Sequence, residues 1–261
     1  MVLKVFIIAM VVVAMIGVMV PNIFADVTFV DTFDVPSHAS KVTDVTFNSD
    51  GTKMFVVGTD FDKVYEYPCS TGFDTSTCNT VGASSFDVFT ADNYPQGITF
   101  NTDGTKLFVV GSTTNDVYEY PCSTGFDVST CNAGAASDED TTAQDTNSMD
   151  LAFNSDGTKM FVLGDAGNDV NEYTLSVGFD VSSTVNFIDS FELSGLDETN
   201  EYLKGLAFNS DGTKMFVIGI TSDKVVEYPC STGFDVSTCD GTKVSSFDVS
   251  GEEENPSGLE F

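Results

Sequence analysis

The chain has 261 residues, with 40 Asp and Glu against 10 Lys, no Arg, and a net charge of −30. So acidic a chain repels phosphate backbones and anionic lipid surfaces, which excludes nucleic-acid binding and peripheral membrane binding as expected roles. The length suits one large β domain or two small ones.

Residues 1–25 come first. Lys4 is the lone charge before Asp26, Val5–Val20 is apolar apart from Gly17, and Ile23-Phe24-Ala25 places a small residue before Asp26. This pattern predicts a secretory signal peptide cleaved after Ala25, with an uncleaved anchor as the rival. Either way residues 26–261 are expected outside the cytoplasm, secreted or at the cell surface. Val27–Val35 reads as a strand without a blade of its own.

From residue 43 the chain repeats itself. Phe47-Asn48-Ser49-Asp50-Gly51-Thr52-Lys53-Met54-Phe55-Val56 returns at Phe100–Val109, Phe153–Val162 and Phe208–Val217, so the leading Phe residues are 53, 53 and 55 apart. A fifth copy begins at Gly258. Each unit parses into four short strands. The first, Asp44–Phe47, leads into a hairpin turn at Asp50-Gly51, because Gly takes positive φ without a steric penalty. Asp103-Gly104, Asp156-Gly157 and Asp211-Gly212 recur at the same place. The second strand, Lys53–Val57, is apolar on both faces, as a strand between stacked blades must be. The third, Val64–Pro68, is half polar and ends at Pro. The fourth is Ser85–Val88, Phe187–Leu193 or Ser246–Val249. In the second unit the aligned stretch is Asp138-Glu139-Asp140-Thr141, which predicts a frayed or absent outer strand and a mobile acidic loop over 133–148.

Four antiparallel strands per unit of this length predict an all-β propeller. Its blades are expected at roughly 43–89, 96–141, 149–193 and 204–249, with a fifth beginning at 258 and the whole forming part of a larger ring. The segment Phe47–Val56 resembles the Ser-Pro-Asp-Gly-Thr-Lys-Leu-Tyr-Val segment of the YVTN and lactonase-like propeller superfamily. Gly72-Phe73-Asp74-Thr75-Ser76-Thr77 resembles one branch of these repeats in extracellular microbial proteins. The resemblance covers nearly all of residues 27–261 and implies blade architecture. It does not imply one function, since the superfamily spans enzymes, binders and scaffolds.

Six Cys occur in three pairs: Cys69 and Cys78, Cys122 and Cys131, Cys230 and Cys239. Each pair has eight residues between its members. In the third unit both are replaced together, by Leu175 and Thr184. Concerted loss favours a disulfide within each unit over the other pairings that six Cys allow. Each bond is expected to close the connection between the third and fourth strands, at the outer edge of its blade.

The candidates for chemistry are few. His38, the one histidine, reads as a solvated loop residue. The Asn-Ser-Asp-Gly segments read as turns, because an EF-hand loop needs Asp at its first position and Glu at its twelfth, where Thr46 and Val57 stand. The Lys of Gly-Thr-Lys reads as structural, neutralising the nearby Asp. At the entrance to the first strand the repeat reads Asp44, Gly97, Asp150, Gly205, Gly258. Asp44 and Asp150 could set carboxylates at the central channel and hold a Ca²⁺ there. Close similarity between repeats leaves few singular residues of the kind an active site needs. The expected function is therefore a non-enzymatic extracellular module, binding or structural, at the cell surface, with an unknown protein or glycan as partner and no obligate cofactor. The alternative is a lactonase-like hydrolase with a divalent metal in the channel.

Overall fold

The computed structural model describes residues 4–6, 29, 31–35, 41–60, 62–89, 92–194, 202–242, 244–251 and 255–260. His38 and, apart from Lys4–Phe6, the expected signal peptide lie outside them. Among the described residues no helix is long and apolar enough to cross a membrane.

A short ribbon pairs β1 (Lys4–Phe6) with β2 (Thr32–Asp34). Four blades follow, each a four-stranded antiparallel sheet with its strands in chain order. They are β3–β6 (Val42–Phe47, Lys53–Gly58, Lys63–Pro68, Ser84–Asp87) and β7–β10 (Pro95–Phe100, Lys106–Gly111, Asp116–Pro121, Ser137–Asp140). Then come β11–β14 (Ser148–Phe153, Lys159–Gly164, Asp169–Leu175, Val185–Glu192) and β15–β18 (Leu203–Phe208, Lys214–Gly219, Lys224–Pro229, Ser245–Asp248). The chain is thus a propeller of four four-stranded blades. The expected Asp-Gly turns form as read, with φ of +71° or +72° at Gly51, Gly104, Gly157 and Gly212.

The second strands β4, β8, β12 and β16 are buried from their second residue to their last, because each is covered on both faces. One cluster joins Phe55 and Val57 of blade one to Ile98, Leu107 and Tyr120 of blade two, and similar clusters join the later pairs. Phe33 and Val35 pack on the other face of blade one, and Leu259 packs on that of blade four. Residues 255–260 lie between these two blades: Ser257 Oγ donates to Val42 O at 3.0 Å.

One device recurs at the seams. Lys53 Nζ pairs with Glu66 Oε1 at 2.6 Å and donates to Phe126 O of the next blade, while Glu66 Oε2 accepts from Val128 N. Lys106–Glu119 grips Phe179 O and Val181 N in the same way, and Lys159–Glu172 grips Phe234 O and Val236 N. The expectation that this Lys neutralises the turn Asp is therefore corrected. Asp50 is already held by Thr52, whose N and Oγ1 both donate to its Oδ1, and the lysine reaches along the sheet to the third strand instead.

The outer edge brings a second correction. The acidic stretch 137–140 is a strand, β10, paired with β9 and buried in the same alternation as Ser84–Asp87. An outermost strand with one solvated face needs backbone partners more than apolar side chains, so charge does not remove it.

The three expected disulfides are formed: Cys69 with Cys78, Cys122 with Cys131, and Cys230 with Cys239. No cysteine is free. Each bond lies beyond the end of the third strand, where its two residues also face each other as an isolated antiparallel bridge. The bond therefore closes the loop that follows the third strand and stops short of the fourth. Cys78 and Cys239 each follow a short 3₁₀ turn, Thr75–Thr77 and Val236–Thr238, and their backbone N–H groups cap it. In blade three, where the pair is missing, Leu175 is buried and β13–β14 pairing extends to Leu175↔Val185.

Candidate active site at the propeller axis

In all four blades the first strand shifts register at one place: between Val42 and Asp44, Pro95 and Gly97, Ser148 and Asp150, Leu203 and Gly205. Such a bulge re-aims the residue that follows it. Here it turns the column of Asp and Gly toward the axis, so Asp44 and Asp150 come together.

Each carboxyl is fixed by backbone donors. Asp44 Oδ2 accepts from Ile98 N at 2.8 Å. Asp150 Oδ1 accepts from Leu151 N at 2.7 Å and its Oδ2 from Leu206 N at 2.6 Å. Each Asp thereby ties its blade to the next first strand. The glycines between them are a steric requirement: a Cβ on Gly97 would run into Asp150 Oδ1, and one on Gly258 into Asp44 Oδ1. Both aspartates are only 2% exposed. Asp44 Oδ1 receives no donor from elsewhere among the described residues. It faces Asp150, and two carboxyls can hydrogen-bond only when one is protonated. Burial drives the Asp44 carboxyl well above the usual range, and the charge of Asp150 adds to this. Burial is also the main cause of the upward shift of Asp150. The pair therefore holds a shared proton at pH values where an exposed pair would hold none.

Both aspartates line a cavity of about 450 Å³, with Glu260 on its wall. Thr46 Oγ1 donates to Glu260 Oε2 at 2.9 Å. The mouth is formed by the turns after the first strands, including Thr102, Ser155 and Ser210.

Toward the other end of the axis lies a residue the sequence reading missed. Lys204, at a bulge position, reaches from blade four to blade two, where its Nζ donates to Gln96 Oε1 at 3.1 Å. Burial pulls its amine below the ordinary lysine value, with Asp165 opposing the shift. A column-by-column alignment carries the signal, since this position reads Thr43, Gln96, Met149, Lys204, four different residues of which only the last is charged.

The donor set suits a proton better than a divalent cation. Ca²⁺ takes six to eight oxygens, whereas three of the four oxygens of this pair already accept backbone N–H bonds. Among the described residues no group of three or more His, Cys, Asp or Glu is arranged to hold a metal.

No protein-family model and no curated protein matches the sequence. Solved structures do match in fold. One from Bacteroides fragilis, named as a 6-phosphogluconolactonase, is 14% identical, with a TM-score of 0.51 over 84% of this chain and 60% of its own. The likeness shows the β-propeller fold that the strand order gives. The chain spans about 60% of the length of that structure. The periplasmic gluconolactonase of Pseudomonas aeruginosa matches at 15% identity and TM-score 0.48, over 79% of this chain and 53% of its own. A streptogramin B lyase matches at 14% identity and TM-score 0.48, over 84% of this chain and 58% of its own.

The expectation of a non-enzymatic module is corrected at this point. It rested on repeat uniformity, yet a structure similar in fold is named as a lactonase. Uniformity holds for the seams and turns. It fails at the axis, where Asp44, Asp150, Lys204 and Glu260 each break the repeat.

Proposed function

We propose that the chain is a hydrolase of the lactonase type, acting in the axial cavity and outside the cytoplasm. The observation that carries this reading is the buried Asp44–Asp150 pair at a cavity of substrate size. The likeness to a named lactonase supports the fold, and the pair supports the chemistry. The three disulfides support an oxidising compartment.

A pair that keeps one proton offers a base and an acid side by side. The ionised carboxylate takes a proton from water as the water oxygen bonds to the lactone carbonyl carbon. The protonated partner gives its proton to the ring oxygen as the acyl C–O bond breaks. One water is consumed, the hydroxy acid forms, and the pair still holds one proton with the roles exchanged. These steps use the carboxyl pair alone.

The test is a pH-stat assay with glucono-δ-lactone. The protein is expected to hydrolyse it well above the spontaneous rate, and Asp44→Asn or Asp150→Asn to lower kcat by about 100-fold or more. Asn at position 44 keeps the size and the acceptor for Ile98 N, so circular dichroism and melting of Asp44→Asn should stay near wild type, whereas Asp150→Asn puts an NH2 against one of two backbone donors and should melt lower. A rate equal to buffer alone, or variants as active as wild type, would sink the reading.

A further inference from the structure

We infer that the axial cavity selects an uncharged polyhydroxylated lactone and rejects its phosphorylated form, an inference that rests on the hydrolase reading above. Three observations carry it. Among the described residues no Lys or Arg lines the cavity. Three carboxyl groups do: Asp44, Asp150 and Glu260. The nearby cations are committed elsewhere, since the seam lysines Lys53, Lys106, Lys159 and Lys214 each pair with a glutamate, and Lys204 is held by Gln96.

A phosphate monoester brings close to two negative charges. In this cavity it would meet the charge left on the aspartate pair and that of Glu260, with no guanidinium or ammonium among the described lining residues to compensate. A chain of net charge −30 repels it again on approach. The lining does fit a neutral sugar. Thr102, Ser155 and Ser210 offer hydroxyls at the mouth, and Phe153 and Phe208 offer ring surface on which C–H faces can pack.

The experiment compares glucono-δ-lactone with its 6-phosphate under identical buffer and salt, and glucose with glucose 6-phosphate by calorimetric titration. The neutral lactone is expected to have at least about tenfold higher kcat/KM, and glucose to bind while glucose 6-phosphate gives no heat. Ser155→Lys, which places a cation on the exposed rim, is expected to raise the ratio of kcat/KM for the phosphorylated lactone over that for the neutral lactone several-fold. Equal or faster hydrolysis of the phosphorylated lactone overturns the selectivity and leaves the hydrolase reading standing. Binding of glucose alone, with neither lactone hydrolysed, overturns the hydrolase reading and leaves the selectivity standing. If neither sugar binds and neither lactone is hydrolysed, both fall.

Discussion

Aspartate occupies two kinds of place in this chain. In the hairpin turns, Asp50, Asp103, Asp156 and Asp211 sit in solvent, each accepting the N–H and Oγ1 of the Thr two residues on. Those bonds hold their carboxyls below the ordinary value of 3.8. At the axis, Asp44 and Asp150 are buried against each other and pushed well above it. The first environment occurs four times and the second once. Repetition marks the scaffold, because every blade needs the same turn and the same seam. Chemistry collects where the repeat is broken, because only there do unlike residues meet.

The contrast can be broken most sharply at Gly97. Gly97→Ala drives a Cβ into Asp150, so a loss of about 3 kcal/mol is expected in denaturant unfolding. A loss under about 1 kcal/mol would show that the axis can relax and that its alternation of Asp and Gly is not steric. Next come the staples of the scaffold. Replacing both Cys122 and Cys131 by Ser is expected to cost about 2–3 kcal/mol. Under reducing conditions, hydrogen exchange at the outer edge of blade three, which lacks the pair, should stay unchanged. The loops closed by Cys69 and Cys78, and by Cys230 and Cys239, should exchange faster. Equal loosening of all four edges would contradict the stapling role.

The seams give a smaller difference. Glu119→Ala leaves the Val181 N–H without its acceptor and Lys106 with Phe179 O but no carboxylate, which is expected to cost about 2 kcal/mol. Glu227 has only the longer 3.4 Å contact with Lys214 among its described partners, so Glu227→Ala is expected to cost about half as much. Equal losses would mean that the next-blade bond contributes little.

The smallest effect is the pH slope. The turn aspartates, with lowered values, contribute stability above 3.8 that is lost as pH falls through their folded values. The axial pair, with raised values, works the other way: its contribution is greatest below 3.8 and declines as pH rises toward its folded values. Asp169, raised by burial to about 6, acts in the same direction as the pair between the ordinary 3.8 and its folded value. Asp44→Asn removes one member of the pair and its repulsion. The variant should therefore lose less stability than wild type in parallel melts as pH rises from 3.8 through about 6. An equal slope would contradict the shared proton.

Much of this was legible in the residues. The recurrence of Phe47–Val56 marked out the blades and the Asp-Gly turns, and the joint loss of Cys at Leu175 and Thr184 marked out the disulfides. The reading erred where the answer depended on what lies beside a strand. Ser137–Asp140 looked too acidic for a strand until β9 supplied its hydrogen bonds. Lys53 looked like a partner for Asp50 until the next blade brought Phe126 O within reach. The column Asp44, Gly97, Asp150 was visible, but its meaning was not.

By itself, then, the sequence determined the local order of things: strands, turns and staples, all set by neighbours a few residues apart. Tertiary structure alone decided the site. It brought Asp44 and Asp150 into one buried space, put Glu260 on the wall beside Thr46, and sent Lys204 across to Gln96. The physical reason is distance along the chain. These residues stand about a hundred or more apart, and only the closing of blades around an axis gives them a common, desolvated environment in which their protons are shared and their charges felt.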